Sequence, residues 1–591
     1  MIFFNSPPRQ SAQLRVTYVL FTLTFLVAPF YHKDNLGGEG LGIPFNAVIW
    51  SPALMLAGVG LLALLSTRYW VKPRYILLIV LFPLLITSGA FASGLERPGE
   101  WVIRLGVLIG GILLWFSLHQ LQLKRRDIGV LLYILLVGFL VHSFIGLIQM
   151  LPMPILVGWT PESNGQPHGM FQQPNLQASM MSTAVAVALY LAVSPGFKNT
   201  RWPLRLLVFL TLALSVFCIV SSGSRLGVIS LGLVIFIVFL SNHKRWRRRP
   251  LLTLLLCLAM GVGCAAGLLT SDGGLKAYNK LERLTEQGQD ARPHIYTVAF
   301  DAWQRAPWIG HGIGSFQREF HNQRIEYFNP DRGEVIASQR FSHPHNELLF
   351  WAIEGGVVAL IAIGLAVLAV ALQIYRLGLQ RGGLCVGLLL PIALHTQVEF
   401  PFYISTLHWL VLIVLLFVCF YPGVTVKRVD LSPSASKLLL ASSIIMPSLL
   451  TVFLMNSLLS QTGIMQYVKF RGSELHHLRF ALNNLYFKEQ GEYIVMRSTL
   501  LGGMSSGAKE EVEIFVNWAE NYLSQKPDIQ LFRNQAVAYQ YLGRFDEAKS
   551  IINHASSIYP ENPQLSDALR RINAGELLEP TSAAGNLVEN D

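Results

Sequence analysis

Over its first 460 residues the chain alternates long apolar runs with short basic or polar connections. Runs close to the twenty residues needed to cross bilayer hydrocarbon fall at 14–31, 47–65, 75–92, 101–121, 128–150, 176–193, 204–220, 226–240, 251–269, 353–374, 384–398, 404–421 and 438–459. The pattern predicts an all-α polytopic membrane protein with about thirteen transmembrane helices. No small-residue cleavage site follows the first run, which reads as an uncleaved anchor. After Ser460 apolar content drops and amphipathic helical patterning begins. Ala536, Tyr539, Leu542-Gly543, Ala548, Ala555 and Pro560 fit one tetratricopeptide-like (TPR-like) unit. One such unit cannot bury its own face, so helices around 474–487 and 509–523 are expected to complete the stack. The expected domains are a membrane domain at 1–460 with a large loop at 270–345, a helical-repeat soluble domain at 461–578, and a disordered tail at 579–591. The soluble domain either binds a protein or peptide or serves as a packing cap.

Composition agrees with this division. The chain is 52% hydrophobic and 14% charged, with mean hydropathy +0.44, whereas soluble domains carry roughly 25% charge. The net charge of +11 does not indicate nucleic acid, because the basic residues cluster in short connections between spans. Arg68, Lys72 and Arg74, Lys124 to Arg126, Lys198 to Arg205, Lys244 to Arg249, Arg376 and Arg381, and Lys427 to Lys437 fall in alternate connections, which places them all on one side. By the positive-inside rule the N-terminus is cytoplasmic and the C-terminus lies outside. The same rule sends 151–175, 221–225, 270–345 and 399–405 to one outer face. All five cysteines lie in apolar runs and read as buried free thiols, with no disulfide framework and no cysteine metal pattern.

Several polar motifs occupy that outer face. In His168-Gly-Met-Phe-Gln-Gln-Pro-Asn175, Gly169 and Pro174 force a turn. The motif is either a structural cap or a set of ligand donors in which Gln172, Gln173 or His168 bonds a polar group. In Ser221-Ser-Gly-Ser-Arg225, an arginine at the side normally depleted of positive charge suits a phosphate. Arg292 precedes an amphipathic helix expected to lie on the membrane. The run Pro307-Trp-Ile-Gly-His-Gly-Ile-Gly-Ser-Phe316 lacks a preceding strand, which excludes a dinucleotide loop. The island Phe341-Ser-His-Pro-His-Asn-Glu347 places His343, His345 and Asn346 at the mouth of a helix. A neutral imidazole there suits proton acceptance from a hydroxyl; the competing reading is a histidine pair capping a helix. No third ligand stands at metal spacing, so no metal is expected. Tyr403, in Glu399-Phe-Pro-Phe-Tyr403, either donates to a ligand or belongs to an aromatic belt. His395 is close enough to the outer end to join a site, and His142 reads as a buried, satisfied side chain.

In this order, HGMFQQPN, SGSR, an arginine before a helix ending in P-x-x-G-x-G-x-G, and HPHNELLFWAIEGG, the chain resembles the O-antigen ligase/polymerase superfamily. It is most similar to bacterial protein O-oligosaccharyltransferases of the pilin-glycosylating (PglL-like) type, whose soluble helical extension it shares. The resemblance implies a GT-C-type glycosyltransferase of the bacterial inner membrane with a periplasmic C-terminus. It would move a glycan en bloc, with inversion and without metal or other cofactor, from undecaprenyl diphosphate to serine or threonine of an exported protein such as type IV pilin. It implies His345, Arg225 and Arg292 as catalytic residues, and Gln173, Tyr403, His168, His343 and Asn346 as substrate-binding residues. Around Arg292, Arg283 and Arg305 are alternative matches. The other readings are an O-antigen ligase acting on lipid A–core, an O-antigen polymerase, or, outside enzymes, a transporter. All five principal side chains, Gln173, Arg225, Arg292, His345 and Tyr403, are expected around one extracytoplasmic cavity.

Overall fold

The computed structural model describes residues 11–94, 97–151, 155–270, 292–327, 340–470 and 474–581. Among them, 11 helices are long and apolar enough to cross a membrane, and the Arg225–Ser241 helix is a shorter apolar one. One of the 11, Glu347–His395, has 49 residues. A straight helix of that length would run about 73 Å, more than twice the ~30 Å of bilayer hydrocarbon. It is not straight. Gly378 has φ +69°, and a Cβ on Gly382 would lie 2.7 Å from the Ile374 carbonyl oxygen. Eight helical residues would otherwise separate those positions by about 12 Å. The chain folds back at Gly378, so this stretch supplies two apolar arms, as the two runs at 353–374 and 384–398 predict. The protein is an all-α polytopic membrane protein, with one two-stranded sheet among the described residues.

The chain divides into two compact units. The first comprises 1–83, 106–287 and 364–455. Its centre is the Pro174–Val193 helix, buried along almost its whole length between the Arg125–Gln149, Trp202–Ser221 and Arg225–Ser241 helices. Its alanines and serines let neighbouring backbones approach, which is how helices associate where lipid removes the hydrophobic drive. Tyr69–Pro73 pairs antiparallel with Val424–Arg428, Val71 opposite Val426. Gln120 closes that clasp, accepting from Val71 N–H at 2.9 Å and donating to its carbonyl at 2.8 Å. The sequence reading had these strands as basic loops; partners so distant in sequence leave no local trace.

The second unit comprises 84–105, 288–363 and 456–591. The Arg292–Arg305 helix buries Ile295, Val298, Ala299 and Ala302 and packs on the Phe316–Tyr327 helix. The apolar face assigned to the membrane surface is thus covered by protein. The glycine-rich run does not form a free turn. His311 and Gly312 N–H donate to the Ile353 and Glu354 carbonyls at 2.9 Å, and Val357 N–H donates to the Pro307 carbonyl at 2.8 Å. Gly356, at φ +61°, opens the helix for this pairing, and a Cβ there would meet the Trp308 carbonyl at 2.4 Å. Toward the C-terminus, Lys488–Ser506, Lys509–Gln525, Ile529–Tyr541, Phe545–Ile558 and Pro563–Asn573 pack in succession. The expected helix at 474–487 is instead two short turns, Leu475–Leu478 and Arg479–Leu482. The Lys488–Ser506 helix takes its place in the stack, its amphipathic pattern obscured by Gly491, Gly502 and Gly503. The segment expected to be disordered begins with placed residues: Thr581 N–H donates to Asn534 Oδ1 at 3.0 Å, and Arg497 Nη2 donates to Thr581 Oγ1 at 2.9 Å. Residues 582–591 lie outside the described residues.

Candidate active site

Within the first unit, Gln173, Arg225 and Tyr403 stand on elements that adjoin the Pro174–Val193 helix. The preceding turn is held by Gln149, whose Oε1 accepts from His168 N–H at 3.0 Å and Gly169 N–H at 2.8 Å, while its Nε2 donates to the Gly169 carbonyl at 2.9 Å. Gly169 is left-handed, at φ +61°. Gln173, not Asn175, is the N-cap residue, and its exposed side chain caps nothing. Gln172 is half-buried and donates to Asn35 at 3.0 Å, whereas Gln173 is exposed.

The serines of the Ser-Arg turn do structural work. Ser224 caps the Arg225–Ser241 helix, accepting from Gly227 N–H, and Ser222 Oγ accepts from Ser224 N–H. Arg225, first in that helix, is half-buried and has no hydrogen-bond or ion-pair partner among the described residues. Its helix is tied to the Pro174–Val193 helix where Ser182 donates to the Gly227 carbonyl at 3.1 Å.

Tyr403 stands in the Pro401–Ile404 turn. Beneath it, Asn46 Nδ2 donates to the Ile404 carbonyl at 2.9 Å and Asn46 Oδ1 accepts from Thr406 N–H at 2.8 Å. His408 bonds Ser405 through Nδ1 at 2.9 Å and faces Ser179 through Nε2 at 3.1 Å, and His395 Nδ1 meets the same Ser179 hydroxyl at 2.7 Å. This buried relay connects the Tyr403 turn to the first two turns of the helix behind Gln173. His395 is fully buried within it, so it supports the turn rather than lining an open site. His142 is buried and stacked on Phe171 at 4.9 Å. Neither of its ring nitrogens has a hydrogen-bond partner among the described residues, so it is buried as expected but not satisfied there.

His168 is buried, and its Nδ1 lacks a partner among the described residues. Burial lowers its pKa to about 4. The folded state therefore favours neutral imidazole relative to the unfolded chain, where the value is about 6.5. This stability is present above pH 6.5 and is lost as pH falls from there toward 4, on the order of 3 kcal/mol in all. Thermal unfolding followed from pH 7.5 to 4 should show acid destabilisation that His168→Gln reduces.

The second unit contains the histidine turn. His345 adopts φ +53°, a left-handed conformation uncommon outside glycine, which histidine enters more often than most side chains do, as asparagine and aspartate also do. Its N–H donates to His343 Nδ1 at 3.0 Å, the two rings are 4.4 Å apart, and Tyr296 Oη donates to the His345 carbonyl at 3.3 Å. His343 is buried, and burial, with His345 and Arg104 nearby, holds its pKa well below the ordinary value. The imidazole is neutral, and its Nδ1 is the nitrogen that accepts the His345 N–H. Asn346 Oδ1 accepts from Leu349 N–H at 2.9 Å, capping the Glu347–His395 helix. Glu347 accepts from Trp351 Nε1 at 2.9 Å. The capping role thus falls to Asn346, which leaves the His345 imidazole outside the cap. Arg292 opens the helix that carries Tyr296 and lies one turn before it on the same face. Of the alternatives to Arg292, Arg305 pairs with Glu326 at 2.5 Å, and Arg283 lies outside the described residues.

Behind the turn is a charge network that sequence reading missed. Glu354 accepts from Gly314 N–H at 3.0 Å and Phe316 N–H at 3.3 Å, and pairs with Arg104. Arg104 also bonds Glu100 at 3.1 Å and lies 4.6 Å over the Phe350 ring. Arg97 bridges Glu100 and Glu489, each at 2.7 Å, and Lys526 pairs with Glu489 at 2.7 Å. The protein's own carboxylate fills the amide nest of the glycine-rich run, so the Gly314 and Phe316 amides are already satisfied. Only chemistry-bearing residues inside apolar runs, Arg104 and Glu354 among them, could have signalled the network. Among the described residues, the ligand atoms of one group, Glu474, His476 and His477, lie within 4.8 Å of one another. That group belongs to the connection after the Pro433–Lys469 helix, not to the histidine turn.

Residues 210–364 match the family model described as O-antigen ligase, and residues 384–572 match that described as virulence factor membrane-bound polymerase, C-terminal. The first match takes in Arg225, Arg292 and the histidine turn; the second takes in Tyr403 and the C-terminal helices. The fold defines a multi-pass membrane protein, and the two matches follow one another along it. The chain belongs to the O-antigen ligase superfamily. An uncharacterized protein of Haemophilus influenzae (strain ATCC 51907 / DSM 11121 / KW20 / Rd) is 24% identical to it over 208 residues, 33% of this chain and 49% of that protein. The chain thus spans about half the length of this curated relative.

Proposed function

We propose that the protein is an O-linked oligosaccharyltransferase of the bacterial inner membrane, with its N-terminus cytoplasmic and its C-terminus periplasmic. It moves a glycan en bloc from undecaprenyl diphosphate to serine or threonine of an exported protein such as type IV pilin. The observation that carries this reading is the conformation of His345. A histidine held left-handed between Tyr296 and His343 is an outlier of the kind that clusters at functional sites, and the superfamily gives that site a glycosyl-transfer chemistry.

In this scheme the acceptor oxygen attacks the anomeric carbon as the bond to the diphosphate oxygen breaks. The diphosphate leaves with the electron pair, and the hydroxyl proton passes to His345. Attack opposite the leaving group inverts the anomeric centre. Arg225 and Arg292 stabilise charge growing on the diphosphate, and Gln173 and Tyr403 orient sugar or acceptor. His168, His343 and Asn346 shape the two turns. The C-terminal helices are read as a TPR-like domain. A second reading, favoured by the descriptions of the two matching families, is an O-antigen ligase acting on lipid A–core or an O-antigen polymerase.

Purified protein supplied with lipid-linked oligosaccharide and pilin should give glycosylated pilin. Arg225→Ala should lower the rate by about two to three orders of magnitude, the effect of removing one transition-state donor, with unchanged expression. EDTA should leave the rate unaltered. Full transfer by the variant would remove Arg225 from the scheme, and product only on lipid A–core would favour the second reading.

A further inference from the structure

The two residues immediately ahead of the histidine turn are gripped by the C-terminal helices. Arg340 Nη1 donates to Asp528 Oδ2 at 2.9 Å, and its Nη2 donates to Gln317 Oε1 at 3.0 Å. Asp528 is 3% exposed. Its Oδ1 caps the Ile529–Tyr541 helix through Leu531 N–H at 2.9 Å and accepts from Tyr493 Oη at 3.3 Å. One residue on, Phe341 N–H donates to His321 Nε2 at 3.4 Å. The Arg324 guanidinium lies 5.7 Å over the Phe341 ring and 5.8 Å over that of Tyr559, and Tyr559 is fixed by its bond to the Pro527 carbonyl at 2.9 Å. Buried groups from three parts of the second unit therefore converge on Arg340 and Phe341. Only Ser342 separates this grip from His343, and a leash of one residue extends at most about 3.6 Å.

We propose that the C-terminal helices are a positioning element for the histidine turn, acting through the Arg340–Asp528 clasp. They are required for transfer to any acceptor, whatever docking role they also have. The proposal rests on the transferase reading above for its kinetic consequence, but its structural consequence is independent of it. Arg340 and Asp528 are positioning residues. They act on His345 through the backbone between them and the turn.

Asp528→Asn separates clasp from fold. Asparagine caps a helix as well as aspartate does, so the bond from Leu531 is kept while the charge facing Arg340 is lost. Arg340→Gln breaks the same pair from a position that caps no helix. In the full-length protein in detergent, both variants should melt within a few degrees of wild type. Hydrogen exchange at the Phe341 and His345 amides should be at least tenfold faster. The kcat should fall at least tenfold with little change in KM for the lipid-linked donor, both for a serine peptide and for water as acceptor. Unchanged exchange in both variants overturns the clasp, and so does faster exchange with unaltered kcat. Loss confined to the protein acceptor, with donor hydrolysis intact, overturns the proposal in favour of a docking module. If wild type shows no transfer at all, the transferase reading fails, and the exchange comparison still decides the clasp.

Discussion

Replacing His345 by alanine should lower the rate of glycan transfer by about two to four orders of magnitude, the usual contribution of a general base, while leaving the protein folded. The backbone explains why alanine alone is an insufficient test. At φ +53° an alanine costs about 1–2 kcal/mol in the left-handed region, so a change in the turn would be confounded with loss of the imidazole. Asparagine tolerates that conformation and lacks a base. The contacts that His345 makes through its backbone, from Tyr296 Oη and to His343 Nδ1, survive in His345→Asn. This variant should therefore fall as far as His345→Ala in single-turnover transfer while melting at the wild-type temperature. Near-normal transfer by His345→Asn would show that the turn, not the imidazole, is what the reaction needs.

The largest effect on stability is expected at Glu354. Its carboxylate is 1% exposed and satisfies Arg104 and the amides of Gly314 and Phe316 together. Glu354→Ala would leave a buried guanidinium without that partner, at about 3–5 kcal/mol, and two amides without acceptors, at about 1–3 kcal/mol each where they stay dry. The sum approaches the whole stability of a typical domain, about 5–15 kcal/mol. The second unit should then fail to accumulate folded, as read by protease resistance and thermal melting in detergent. Glu354→Gln keeps an acceptor for the amides and should be milder. Pairing Glu354→Leu with Arg104→Met removes both charges and should recover part of the loss, since a buried pair replaced by apolar residues is often near neutral. A Glu354→Ala protein that melts as wild type would show that the network bears little of the fold.

These effects bear on how much of the site could be read in advance. The turn at Gly169 and Pro174 was legible because both residues restrict the backbone by themselves. The break at Gly378 was legible because basic residues and glycines interrupt an apolar run. The cap at the histidine turn was expected of the histidine pair and falls instead to Asn346. What could not be read was which polar groups would be consumed by internal partners. Gln172 and Gln173 are adjacent and chemically identical, yet one bonds Asn35 and the other is exposed. His395 and His408 sit in runs that any hydropathy reading assigns to the bilayer, and the structure joins both to Ser179.

The sequence by itself determined the all-α polytopic class of the protein, where its apolar runs lie and the turns that carry its candidate chemistry. Span length, charge alternation and turn residues are properties of neighbouring positions, so no packing is needed to read them. The tertiary structure alone decided what each buried polar side chain touches. Asn46 bonds a carbonyl 358 residues away, Glu354 a guanidinium 250 away and Arg340 a carboxylate 188 away. A buried donor or acceptor must find a partner wherever packing brings one, and that choice is made by the assembled helices rather than by any stretch of chain.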